Sequence, residues 1–175
     1  EPFQDLGYAK VDHHRGVRQG AAEVIYGAGK APEQIAGIAA AMGERGCRNI
    51  LITRISQEAA EEAARTVPLD YHPLPRLAIA FPGERNALGH IVVATGGTSD
   101  MPVAEEAALT AEVLGNKVTR LYDVGVAGLH RLLSNLEVLM SARCIVAAAG
   151  MEGALASVIG GLVDCPGIAV PTSVG

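Results

Sequence analysis

The chain has 175 residues, 49% of them hydrophobic and 3% aromatic, with 14 Lys and Arg against 19 Asp and Glu for a formal net charge of -5. That supplies a globular core for one or two domains, and the acidic balance with few aromatics argues against nucleic-acid binding. The three cysteines, Cys47, Cys144 and Cys165, form no C-x-x-C pair, so no disulfide framework or zinc site follows, and a reducing cytoplasm is the expected setting.

In chain order, residues 1–10 read as irregular. Residues 11–30, VDHHRGVRQGAAEVIYGAGK, carry a dense polar cluster of Asp12, His13, His14, Arg15 and Arg18 before a short strand at Val24, Ile25 and Tyr26. Adjacent histidines in an extended segment face opposite sides, which disfavours a two-histidine metal site. Arg15, Arg18 and Lys30 could pair with phosphates, but a solvated loop of ion pairs is the favoured plain reading of this cluster. A helix over 32–43 has Pro32 in its first turn and an apolar stripe of Ile35, Ile38, Ala39 and Met42. Residues 49–55, NILITRI, form a buried strand, and Ser56 caps a helix over 58–64. Residues 71–75 are broken by proline, and a short strand covers 77–81. These elements make a small βαβα unit over 1–85, and 82–88, PGERNAL, is the best linker.

The stretch 90–103, HIVVATGGTSDMPV, runs from strand through a glycine pair into a helix. A helix N-terminus offers unpaired N–H groups and partial positive charge, and glycines let an anion approach the backbone. The plain alternative is that Ser99 or Asp100 is an ordinary cap. The following helix, over 103–114, turns Val103, Ala107, Ala111 and Leu114 inward and Glu105, Glu106 and Glu112 outward. A strand over 117–122 ends at Asp123. Gly125, Val126, Ala127 and Gly128 then lead to a helix with Leu129, Leu132, Leu133, Leu136 and Met140 on one side, His130 reading as a surface residue. A strand over 143–148 enters a second glycine turn, AAGMEGA, followed by a small-residue helix to Leu162, a strand at 168–170, and PTSVG. The apolar run 144–163 has the length of a membrane span, but its glycines and Glu152 favour strand, turn and buried helix.

Strands alternating with helices predict a parallel sheet covered on both faces. With the first strand of this half lying between the second and third, GGTSD and AAGMEG flank the topological switch point, where open α/β sheets bind ligands. Candidate substrate- and phosphate-binding residues are therefore Gly96, Gly97, Thr98, Ser99, Asp100, Asp123, Gly125, Val126, Ala127, Gly150, Met151 and Gly153. Glu152, the only charge in a long apolar stretch, is the candidate for proton transfer, by a carboxyl desolvated or held ionised by donors. An acid that merely complements a helix dipole is the alternative.

GGTSD and AAGMEGALASVIGGL resemble the phosphate turn and the substrate-cradling glycine turn of the phosphoribosylaminoimidazole carboxylase (PurE) family. Met-Glu-Gly-Ala and YDVGVAGLHR stand where that family's purine enzymes carry their histidine motifs. Over its whole length, and notably in DHHRGVRQGAAEVIYGAGK, GGTSDMPVAEEA and AAGMEGALASV, the chain is similar to the LarB family of pyridinium-3,5-biscarboxylic acid mononucleotide synthases in nickel-pincer cofactor biosynthesis. The resemblance implies an α/β protein: a small N-terminal α/β domain, then a three-layer, flavodoxin/PurE-like parallel-sheet domain over 86–175. Starting at Glu1 and ending in PTSVG, the sequence reads as trimmed at both ends, with that sheet domain incomplete at its C-terminus.

The activity it implies is carboxylation of the pyridinium ring of nicotinic acid adenine dinucleotide, with carbon dioxide or bicarbonate as co-substrate, and hydrolysis of the phosphoanhydride to release AMP. Glu152 matches the ring-proton base, Thr98, Ser99 and Asp100 match the phosphate turn, and Asp12, His14, Arg15 and Arg18 are candidates for the adenylate. The nucleophilic cysteine is expected in a Met-Leu-Asn-Ser-Cys-type motif beyond Gly175. A magnesium ion and a homo-oligomer, an octamer by analogy, are also implied, with no membrane or nucleic-acid partner. Two alternatives stay open: an aminoimidazole ribonucleotide carboxylase or mutase, and a nucleotide-binding sensor without chemistry.

Overall fold

A computed structural model describes residues 2–15 and 23–173. The chain divides into two compact units, Glu1–Glu84 and Arg85–Gly175.

In the first unit, β1 (Phe3–Asp5) and β2 (Lys10–Asp12) form an antiparallel hairpin in the stretch expected to be irregular. Gly7, at φ +83, supplies the turn, and its N–H donates to the Asp5 carboxylate. Then follow β3 (Ile25–Tyr26), α1 (Pro32–Glu44), β4 (Ile50–Thr53), α2 (Gln57–Ala63), β5 (Leu69–His72) and β6 (Leu77–Ala80). The sheet order is β3-β4-β6-β5, with β3 and β4 parallel and the other pairs antiparallel. The βαβα beginning thus closes on a hairpin: residues 73–76 are a turn, as the prolines lead one to expect, while the strand that reaches His72 before them departs from the sequence reading. Proline biases the residue before it toward extended backbone rather than forbidding a strand. Leu69 and Tyr71 pack on the core while Asp70 points out, the alternation of a half-buried strand. The α1 stripe of Ile35, Ile38, Ala39 and Met42 is buried, and Ser56 caps α2 by accepting from the Ala59 N–H.

The second unit is a three-layer α/β structure. Its strands are β7 (Gly89–Thr95), β8 (Asn116–Leu121), β9 (Cys144–Ala149) and β10 (Gly167–Pro171), all parallel in the order β10-β9-β7-β8. On one face, Val93 and Ala148 pack on Ala104 and Ala108 of α3 (Met101–Val113). On the other, Val92, Ala94, Ile145 and Ala147 pack with α4 (Leu129–Leu133), α5 (Leu136–Met140) and α6 (Ala154–Leu162) through Leu132, Leu139, Leu155 and Ile159. Alternate residues of one strand thus serve opposite cores, which is why these strands read as unbroken apolar runs. The apolar run 144–163 resolves into β9, a turn and α6, and no helix among the described residues is long and apolar enough to cross a membrane.

Three local expectations are corrected. The buried face of α3 is Ala104, Ala108 and Leu109, while Leu114 is exposed. The helix seats its small residues against the sheet because they allow the closest approach. Glu105 and Glu112 are half-buried rather than outward, and both accept from Arg120 of β8. Burial, and then the hydrogen bond to Glu105, hold the Tyr122 hydroxyl well above the usual phenol range. Finally, the leucine-rich helix after Gly128 is two five-residue helices, with Leu132 and Leu139 buried and Leu129, Leu133 and Met140 exposed. Ser134 and Asn135 break it, because both side chains donate to the Arg131 carbonyl and compete with the helical ladder.

Candidate active site at the carboxyl edge of the parallel sheet

β7 lies between β8 and β9, so the chain leaves β7 toward one side of the sheet and later returns on the other. The carboxyl ends of β7 and β9 therefore flank the switch point, and a cleft of about 230 Å³ opens there. Gly96, Gly97, Ser99 and Asp100 form one wall. The loop after β8 contributes Gly125, Val126 and Ala127, and the turn after β9 contributes Gly150, Met151 and Glu152. Ala149, Ala154, Leu155 and Arg131 complete the lining and were not singled out by the sequence.

The wall after β7 is braced from within. Thr95 is fully buried at the strand end, its hydroxyl accepting from the Asp123 N–H at 2.9 Å and its carbonyl from the Val124 N–H at 3.0 Å. Thr98–Asp100 is a turn of 3-10 helix that runs directly into α3. Asp100 is at the N-cap position of α3, yet its side chain does not cap that helix. It turns inward, 4% exposed, where Oδ2 accepts from the Gly97 N–H at 2.9 Å and Oδ1 from the Thr172 hydroxyl at 2.6 Å. The Asp100 carboxylate therefore fastens the turn to the chain leaving β10. α3 has no side-chain cap, but it opens with Met101, whose N–H donates to the Thr98 carbonyl, and Pro102, which has no N–H, so what it offers an anion is the positive end of its dipole. The two turns meet at glycines: a Cβ on Gly125 would stand 2.5 Å from the Gly96 carbonyl oxygen.

The wall after β9 is open. Met151 is 84% exposed and Glu152 is exposed too, so the desolvation expected of a carboxylate in an apolar run is absent in the single chain. An apolar sequence neighbourhood does not bury a residue that stands at the crest of a turn. Met151 and Gly153 both have left-handed backbone, at φ +53 and φ +66, a conformation that costs a side-chain-bearing residue more than glycine.

Of the remaining candidates, Thr98 and Gly153 belong to the two turns without lining the cleft. Asp123, at φ +56, also stands outside the lining, its Oδ2 paired with Nη1 of Arg131 at 2.8 Å. His130 is exposed, in line with its reading as a surface residue, whereas its neighbour Arg131 reaches the cleft. Successive helical residues point about 100° apart, so only the tertiary fold decides which of two adjacent side chains meets the site.

Asp12, His14 and Arg15 lie in the first unit. There the Asp12 N–H donates to Glu23, and the Asp12 carboxylate accepts from the His14 N–H. Arg18 lies outside the described residues. Cys47, Cys144 and Cys165 are half-buried and none lines the cleft. The residues described offer the implied magnesium ion one open carboxylate in the cleft, Glu152, which suits an ion held chiefly by substrate phosphates. They contain no group of three His, Cys, Asp or Glu able to hold a metal, and Asp100 and Asp123 are engaged by protein donors.

Two family profiles match the chain. One, described as the LarB/PurE-like N-terminal domain, matches residues 3–81, and the other, described as AIR carboxylase, matches 90–175. The chain is also similar to an uncharacterized protein of Methanocaldococcus jannaschii, 36% identical over 173 residues that make up 94% of this chain and 68% of that protein.

Proposed function

From its membership of the LarB family, with an N-terminal LarB/PurE-like domain and a carboxylase-type AIR carboxylase domain, we propose that this chain carboxylates the pyridinium ring of nicotinic acid adenine dinucleotide and splits its phosphoanhydride. The observation that carries this reading is the cleft itself, where the glycine turn that leads into α3 forms one wall and a carboxylate, Glu152, stands on the other. The first suits a phosphate, and the second suits removal of a ring proton.

A pyridinium ring is an electrophile and does not attack carbon dioxide. Addition of a thiolate to the ring neutralises it and gives an electron-rich enamine, whose carbon forms the new bond to carbon dioxide. Glu152 then takes the hydrogen from that carbon. The C–H electrons restore the enamine, and loss of the thiolate restores the aromatic cation. In this reading the thiolate comes from the family's Met-Leu-Asn-Ser-Cys-type motif rather than from Cys47, Cys144 or Cys165. The Ser99 hydroxyl, with the positive end of the α3 dipole behind it, holds the nucleotide phosphate while the ring reacts. Attack of water on the phosphoanhydride releases AMP. No step of this scheme is routed through a metal.

Mass spectrometry of the products formed by the full-length protein from the dinucleotide and bicarbonate, with magnesium in the buffer, tests the proposal. A carboxylated mononucleotide and AMP are expected. Turnover of aminoimidazole ribonucleotide instead would establish the purine alternative. Binding of the dinucleotide with no product would leave only a sensor.

A further inference from the structure

The cleft holds one cation to which the scheme above gives no role. Among the described residues Arg131 is the only positively charged one lining it, and the other ionisable groups there, Asp100 and Glu152, are both acids. Its surroundings hold it in place. A Cβ on Gly128 would stand 2.6 Å from Arg131 Nε and 3.1 Å from both Cζ and Nη2, so the guanidinium packs closely over the glycine and a larger residue there would displace it. At the other edge, Nη1 donates to Asp123 at 2.8 Å. The two side chains are 38% and 53% exposed, and an ion pair so open to water adds little to stability. What the pair does is fix the direction of a planar fork. A guanidinium has five N–H donors, so one edge can face Asp123 while other donors remain for a ligand.

We propose that Arg131 is the substrate-reading residue of the cleft, pairing with a carboxylate on the substrate's ring, and that Asp123 is its positioning residue. The inference rests on the reading of the substrate as a pyridinium dinucleotide. There the phosphates go to the N-terminus of α3, and the ring lies beside Glu152. The anionic group on the ring side of such a molecule is its carboxylate, and Arg131 is the cation the cleft offers it. A planar carboxylate matches the fork with two parallel hydrogen bonds. An amide at that position offers one acceptor and turns its own N–H donors against those of the guanidinium. Arg131 therefore makes the enzyme select the nicotinate ring over the nicotinamide ring.

Two measurements on the full-length protein separate this from the reading it rests on. The first compares kcat/KM for the nicotinate dinucleotide with Kd for the nicotinamide dinucleotide, in wild type, Arg131→Gln, Arg131→Lys and Asp123→Asn. Arg131→Gln is expected to lower kcat/KM for the acid about 100-fold, the loss of a charged, paired hydrogen bond, and to leave Kd for the amide within about twofold. Arg131→Lys keeps the charge but not the fork and falls between. Asp123→Asn raises KM about fivefold with kcat unchanged, because the fork is present but less well aimed. Equal weakening of both dinucleotides by Arg131→Gln would overturn the proposal and assign Arg131 to a phosphate, and no change in either would overturn it outright. The second measures binding of free nicotinate and nicotinamide, which needs no chemistry. Preference for nicotinate in wild type, lost in Arg131→Gln, supports Arg131 even if no carboxylated product forms. Full turnover by Arg131→Gln sinks the Arg131 role while the carboxylase reading stands.

Discussion

The two glycine turns that face each other across the cleft are built on opposite plans. GGTSD is locked: Asp100 is buried, both of its oxygens are bonded, and a partner 72 residues away in sequence ties the turn to the end of β10. AAGMEG is open: Met151 and Glu152 stand in solvent on a backbone with two left-handed residues. A site that holds a phosphate gains from donors already fixed in place, since any ordering left to the moment of binding is subtracted from affinity. A base must meet a proton whose position is set by the bound ring, and the exposed turn presents its carboxylate with no competing partner among the described residues. Under the proposed function, anchoring falls to the first turn and chemistry to the second.

Four substitutions test that division, in falling order of their effect on stability. Asp100→Ala removes a buried carboxylate and leaves the half-buried Gly97 N–H and Thr172 hydroxyl without their acceptor. It should cost about 3 kcal/mol in urea unfolding, and a cost near zero would mean that the turn is not braced from within. Gly125→Ala pushes a methyl group against the Gly96 carbonyl and forces the two loops apart. We expect a loss of about 2 kcal/mol together with weakened dinucleotide binding by calorimetry. On the open wall the effects shrink. Gly153→Ala meets no neighbouring atom, so only its left-handed backbone is penalised, and the melting midpoint should fall by the equivalent of about 1 kcal/mol. Glu152→Gln should change stability by less than about 0.5 kcal/mol, because the side chain is exposed. The same substitution should abolish carboxylation while dinucleotide binding persists. Equal carboxylation by wild type and Glu152→Gln would remove Glu152 from the role of base.

The contrast extends to the two units. The second unit follows the simplest reading of its sequence, strand and helix in alternation with every strand parallel. The first begins that way and then closes on the antiparallel β5–β6 hairpin, where two prolines obscured a strand only four residues long. Short strands next to proline carry little local signal, and what makes β5 a strand is its pairing with β6.

The amino-acid sequence by itself determined the order of strands, turns and helices in the second unit, the two glycine turns, and the crowding of chemistry-bearing residues at their ends. Those features follow from short-range physics: apolar periodicity, the backbone freedom of glycine, and the entry of proline at the start of a helix. Only the tertiary structure decided where the side chains point. It turned Asp100 inward to meet Thr172, brought Arg131 rather than His130 to the cleft, and left Glu152 in solvent despite its apolar neighbours. Each of those outcomes depends on groups brought together by packing across the sheet edge. A pairing between residues 100 and 172 leaves no trace in the local pattern around either one.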